Sequence, residues 1–145
     1  YSYSSTLFGE LVLIDGAGPV SMAFSIASAG MTHMAADAIA DAIADRSFSF
    51  YATESSTDTL APLGRLGAHP VDPRDIEGAI VYGSDGGVVP GLDGVRGKAT
   101  DGHSSRTEPD EHGIRRRGYF DPAAQAYLFA VERLARLAAR PHRDQ

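Results

Sequence analysis

The 145-residue sequence contains no cysteine, which removes disulfide frameworks and thiolate metal sites from consideration. It has no apolar run near the roughly 18–20 residues that a membrane-spanning helix needs; Leu11–Ile14 is far too short. Positive charge is in deficit: 13 Lys and Arg stand against 19 Asp and Glu, for a formal net charge of −6. That balance counts against a nucleic-acid partner. No basic segment precedes an apolar stretch, so no signal-peptide pattern is visible and localisation is left open between cytoplasmic and secreted. Internal repeats and the H-E-x-x-H spacing of a zinc site are also lacking. Gly16-Ala17-Gly18 lacks a third glycine and is followed by a strand pattern, which excludes a dinucleotide fingerprint. Neither a cofactor nor a metal is expected.

The residues that are present suffice for one folded domain: 43% are hydrophobic, enough to build a core. The run from Ser4 to Asp15 suits a helix or a buried strand equally. Met22, Phe24 and Ile26 alternate with Ala23 and Ser25, which predicts a strand over residues 20–27. His33–Asp45 has an apolar face of Ala35, Ile39, Ala42 and Ile43 and an acidic face of Asp37, Asp41 and Asp45, with Thr32 as its cap. Ser47–Thr53 predicts a second strand and Gly78–Tyr82 a short, apolar third one. Gly83–Gly118 reads as a long, glycine-rich, irregular passage. Asp121-Pro122 is expected to open a last helix, with Arg133, Arg136 and Arg140 toward its end. Strands alternating with helices favour a mainly parallel sheet flanked by helices, an α/β fold. Three strands are few for such a sheet, and the chain opens inside an apparent motif. The expectation is therefore the carboxyl-terminal portion of a single domain over residues 1–145, partnered by a missing amino-terminal part.

Three positions suggest chemistry. Ser2 stands in Tyr1-Ser2-Tyr3-Ser4, a partial match to the G-x-S-x-G turn that exposes a nucleophile between a strand and a helix; a serine-rich solvent-exposed tail is the plain alternative. Asp58 lies a few residues beyond the second predicted strand, where functional groups of an open α/β sheet gather. It can orient an imidazole or simply cap a turn, and Glu54 competes with it in the same loop. His103, in Asp101-Gly102-His103-Ser104, reads as an exposed loop histidine flanked by small residues, from which position it can reach a serine as general base; a solvated surface histidine is the alternative. His33, His69, His112 and His142 are less well placed. The order Ser, Asp, His is that of α/β-hydrolases and differs from the chymotrypsin and subtilisin orders.

At these motifs the chain resembles the actinobacterial α/β-hydrolases of the DUF1023 type. Ser2-Tyr3-Ser4-Ser5-Thr6 is similar to their G-H-S-Y-G-S-T from the serine onward, with Tyr1 in place of His and Ser4 in place of Gly. Tyr51-Ala52-Thr53 through Asp58 and Pro62-Leu63-Gly64 resembles the stretch around their acid. Leu66 to Pro73 looks like their proline-rich linker, and Gly102-His103-Ser104 with Tyr119-Phe120-Asp121-Pro122 like their close. Arg106–Arg117 stands out as an insertion. The resemblance implies a serine hydrolase of esterase or lipase character in the intact protein, with Ser2, Asp58 and His103 as catalytic triad. One oxyanion donor would come from the Tyr3 amide; the loop that should supply a second is absent. Its substrate would be a small-molecule or lipid-like ester.

Two other classes compete. A non-catalytic binding or interaction module would keep the sheet without turnover. A metal site drawn from His103, Glu108, Asp110 and His112 has suitable residue types but no recognised spacing, and a charge-balanced loop with Arg115–Arg117 explains those residues more simply.

Overall fold

A computed structural model describes residues 1–46 and 48–139. Ser47, Arg140 and His142, to which the sequence reading gave places in a strand, a helix end and a tail, lie outside the described residues. Among the described residues the chain is mixed α/β, with four helices and a small parallel sheet of three strands. In chain order the first elements are α1 (Tyr3–Asp15), β1 (Met22–Ile26), α2 (His33–Ala44), β2 (Ser49–Thr53) and the short α3 (Leu60–Gly64). β3 (Ile80–Val81) completes the parallel sheet in the order β1-β2-β3. Then come two antiparallel pairs, β4 (Asp85–Val88) with β5 (Arg96–Ala99) and β6 (Glu108–Pro109) with β7 (Arg115–Arg116), and α4 (Gln125–Ala138). None of the described helices is long and apolar enough to cross a membrane.

Period-two patterning in β2 sorts its side chains between two cores. Phe50 and Ala52 join Val12, Met31, Ala35 and Ile39 in a cluster under α1 and α2. Tyr51 joins Ile26, Tyr82 and Phe129 in a second cluster that α4 covers. Tyr82 and Phe129 stack at 4.3 Å between ring centroids and 15° between planes, an arrangement aromatic pairs favour. Helices therefore cover both faces of the sheet. α1 resolves the ambiguity of its segment in favour of helix, and Thr32 caps α2 as the sequence suggests, its hydroxyl accepting from the Ala35 amide at 3.2 Å.

The structure corrects three local expectations. The third strand shrinks to Ile80–Val81, both largely exposed, because it is the sheet edge and pairs only with β2. The passage after Gly83 is not structureless; it folds into the two antiparallel pairs. The last helix begins at Gln125, not at Asp121. The Lys98 amide donates to the Ala123 carbonyl at 2.7 Å, and Ala124 bridges Lys98 in parallel register. Residues 123–124 are thereby drawn out along β5, and Asp121 serves a turn, its carboxylate accepting from the Ala123 amide at 2.9 Å.

β5 approaches the start of α4 so closely that a Cβ on Gly97 would lie 2.2 Å from the Gln125 Cα. Backbone cannot yield there as a flexible side chain would. Gly97→Ala is expected to destabilise the fold by about 2 kcal/mol, read as a lowered midpoint in urea denaturation with an unchanged slope.

Candidate active site

The first two residues run beside the end of β1, where the Ser2 amide donates to the Ile26 carbonyl at 2.9 Å. Ser2 then turns the chain directly into α1, and its backbone has φ 51° and ψ −127°. A non-glycine residue in such a conformation costs about 1–3 kcal/mol, and such outliers concentrate at functional sites. The turn projects the serine hydroxyl toward the carboxyl ends of the strands. Ser2 Oγ lies 3.0 Å from His103 Nε2.

Asp58 stands five residues after β2 and just before α3. Its Oδ1 accepts from the amides of Leu60 and Ala61 at 3.1 and 3.0 Å, so it does cap the short helix. It also faces the histidine: His103 Nδ1 lies 3.0 Å from Oδ1 and 2.9 Å from Oδ2. The Asp58 side chain is fully buried, whereas that of His103 keeps 20% exposure. A carboxylate so placed fixes the ring's tautomer, with the proton on Nδ1 and the Nε2 lone pair toward Ser2.

Polar contacts hold the two loops together. Ser55 Oγ lies 2.9 Å from the Thr100 carbonyl, and Thr57 Oγ1 accepts from the Gly102 amide at 2.9 Å. Asp85 Oδ1 accepts from the Ser56 amide at 2.8 Å. The ring of Tyr1 lies 5.4 Å from that of His103. Burial, and then the Asp58 charge, push the Tyr1 phenol up to about 12. The phenol of Tyr119 donates to Asp58 Oδ2 at 3.0 Å.

Glu54, the competing carboxylate, is engaged elsewhere. Arg65 Nη2 donates to both its oxygens at 2.7 and 2.8 Å, and Arg74 Nη2 reaches it at 3.1 Å. Asp72 completes this ionic group with Arg65 and Arg74. Burial works against the Asp72 charge, but the hydrogen bonds and charges of Arg74 and Arg65 hold its carboxyl below the ordinary range. The group ties the segment after β2 to the segments on either side of Pro73, so the loop carrying Asp58 is held from behind.

The other described histidines make no hydrogen bond to Ser2. His33 is exposed at the start of α2, His69 lies edge-on to the Tyr3 ring, and His112 lies 3.5 Å from Glu111. The four-residue metal set does not assemble: His103 faces Ser2 and Asp58, and Asp110 is paired with Arg116 at 3.0 Å. Among the described residues no group of His, Asp and Glu is arranged to hold a metal ion.

An open groove of about 570 Å³ passes His103 and is lined also by Tyr1, Leu60, Ser104, Glu108 and Arg116. The β6–β7 hairpin, which occupies the apparent insertion, supplies Glu108, Pro109, Asp110 and Arg116 to that lining. Its stem is closed tightly: a Cβ on Gly118 would lie 2.4 Å from the Arg106 carbonyl carbon. The three groups singled out from the sequence come together, whereas Tyr119, Thr57 and the Arg65 clamp were given no role there, because their partners lie 11 to 64 residues away in the chain.

Comparison of the chain with protein-family models, curated proteins and solved structures yields no match in any of the three.

Proposed function

We propose that the protein is a serine hydrolase, built on the carboxyl-terminal part of an α/β-hydrolase sheet, that cleaves an ester through an acyl-enzyme. The observation that carries this is the continuous Ser2–His103–Asp58 hydrogen-bond chain, with the serine on a backbone turn of positive φ. In the first half-reaction Ser2 Oγ attacks the substrate carbonyl carbon while His103 Nε2 takes the hydroxyl proton. The tetrahedral intermediate collapses, and the imidazolium returns that proton to the leaving alcohol. Water then repeats the sequence on the acyl-serine and releases the acid. Asp58 keeps the imidazole in register and stabilises its charged form. The Tyr3 amide, next to Ser2 at the start of α1, serves the oxyanion. One such donor is typically worth about 100- to 1000-fold in rate. Amides and thioesters are accessible to the same chemistry.

A fluorophosphonate probe tests the reading. Covalent labelling that maps to Ser2 supports it; a folded protein that stays unlabelled supports the binding module instead.

The hairpin wall of the groove is assigned to substrate choice. Exchanging Pro109–Arg115 for an Asn-Gly turn, which suits a two-residue hairpin, is expected to alter the ratio of kcat/KM between short and long acyl esters by about 10-fold, the scale of one or two methylenes of pocket contact. An unchanged ratio across an ester series would remove the hairpin from substrate recognition.

A further inference from the structure

The two oxygens of Asp58 are held differently. Oδ1 accepts from the backbone amides of Leu60 and Ala61 as well as facing His103. Oδ2 is served by side chains, His103 Nδ1 at 2.9 Å and the Tyr119 hydroxyl at 3.0 Å. The direction of that phenol bond follows from its other partner. The Ser55 amide donates to the Tyr119 oxygen at 2.7 Å, and an ionised carboxylate only accepts. The phenolic proton therefore lies toward Asp58. Tyr119 is completely buried, and its phenol touches both ends of the loop from Ser55 to Asp58. Its own amide donates to the carbonyl of Ser104, the neighbour of His103, at 3.0 Å. One residue thus holds the acid by its side chain and the histidine loop by its backbone.

From this geometry we infer that Tyr119 is a positioning residue that shares the Asp58 charge with the imidazole and so sets the pH at which His103 becomes a free base. Its effect on turnover rests on the hydrolase reading; its effect on the imidazole does not. A hydrogen bond donated to a carboxylate stabilises the anion and leaves it less able to stabilise a neighbouring cation. With the phenol gone, Oδ2 has the ring alone, and the imidazolium is held more firmly. The neutral base then appears only at higher pH. The other charged groups along the groove beside His103 are Asp101, Glu108, Asp110 and Arg116, with the Tyr1 ring against the imidazole. A phenylalanine at 119 leaves all of them in place and keeps the aromatic contact with Tyr1, 6.0 Å between centroids.

Tyr119→Phe is expected to move the acid limb of the kcat/KM profile up by about one pH unit, the size of one charge-assisted hydrogen bond. On the acid limb, below both midpoints, kcat should fall about 10-fold with KM nearly unchanged. The same shift should appear in the NMR titration of the His103 ring proton, assigned by its loss in His103→Gln. An unmoved His103 titration in the folded variant overturns the inference, whether or not the enzyme is active. A shifted titration in a protein that fluorophosphonate never labels keeps the coupling and sinks the hydrolase reading. Should Tyr119→Phe fail to fold, 2,3-difluorotyrosine at position 119 keeps the shape and strengthens the donor. It should move the His103 midpoint down, and an unchanged midpoint would again overturn the coupling.

Discussion

Ser2→Ala is expected to lower ester turnover by about a million-fold, down to the residual rate that binding and the oxyanion donor supply. In the proposed reaction the hydroxyl is the attacking group, and no other serine hydroxyl among the described residues is hydrogen-bonded to His103. Folding should barely respond. Alanine has the same Cβ at φ 51° and the Ser2 amide keeps its bond to the Ile26 carbonyl. What is lost is one half-buried hydrogen bond, a change of about 1 kcal/mol at most. The checks are burst kinetics with an activated ester and thermal unfolding of both proteins. Turnover within tenfold of the parent, in the absence of contaminating esterase, would remove Ser2 from the chemistry. A large drop in melting temperature would mean instead that the turn at Ser2 is a structural element in its own right.

Asp58→Asn should cost about 10,000-fold in kcat and about 1–3 kcal/mol in stability, because the buried amide loses the bond from the Tyr119 hydroxyl. The amide oxygen can take the Oδ1 place and still accept from Leu60 and Ala61, so α3 stays capped. The amide nitrogen then takes the Oδ2 place, 2.9 Å from His103 Nδ1 and 3.0 Å from the Tyr119 oxygen, whose proton must turn away. Being a donor, it forces the ring to present a lone pair at Nδ1 and carry its proton on Nε2. That proton faces Ser2 Oγ, so the imidazole can no longer accept the serine proton. The rate of fluorophosphonate labelling should fall in parallel with turnover, because both need the same proton transfer. If labelling fell while ester hydrolysis did not, Asp58 would have no part in orienting His103 during turnover.

Local pattern carried a good part of this fold. The alternation in residues 22–26, the two-faced helix behind Thr32 and the aromatic run at 49–53 are short-range signals, and the elements appear there. The chain order Ser, Asp, His also proved spatially meaningful, since the three side chains meet. Local pattern alone does not separate Asp58, chosen through the resemblance, from Glu54. Both sit in one polar loop, and the decision is made by Arg65 and Arg74, which capture Glu54 from segments 11 and 20 residues away. Asp121-Pro122 gave a sound helix-start signal that failed because β5 pairs with residues 123–124. Tyr119 was visible only as part of a resemblance. Nothing near a tyrosine in the chain announces that its hydroxyl will meet a carboxylate 61 positions earlier.

The near-contact between Arg106 and Gly118 means that the hairpin leaves and re-enters the body of the protein at practically one point. A segment tied in this way is replaceable like a cartridge: another peptide whose ends meet fits the same socket, provided the last residue is glycine. Variety in what the groove admits can then accumulate outside the socket, while the hydroxyl, imidazole and carboxylate behind it stay where they are.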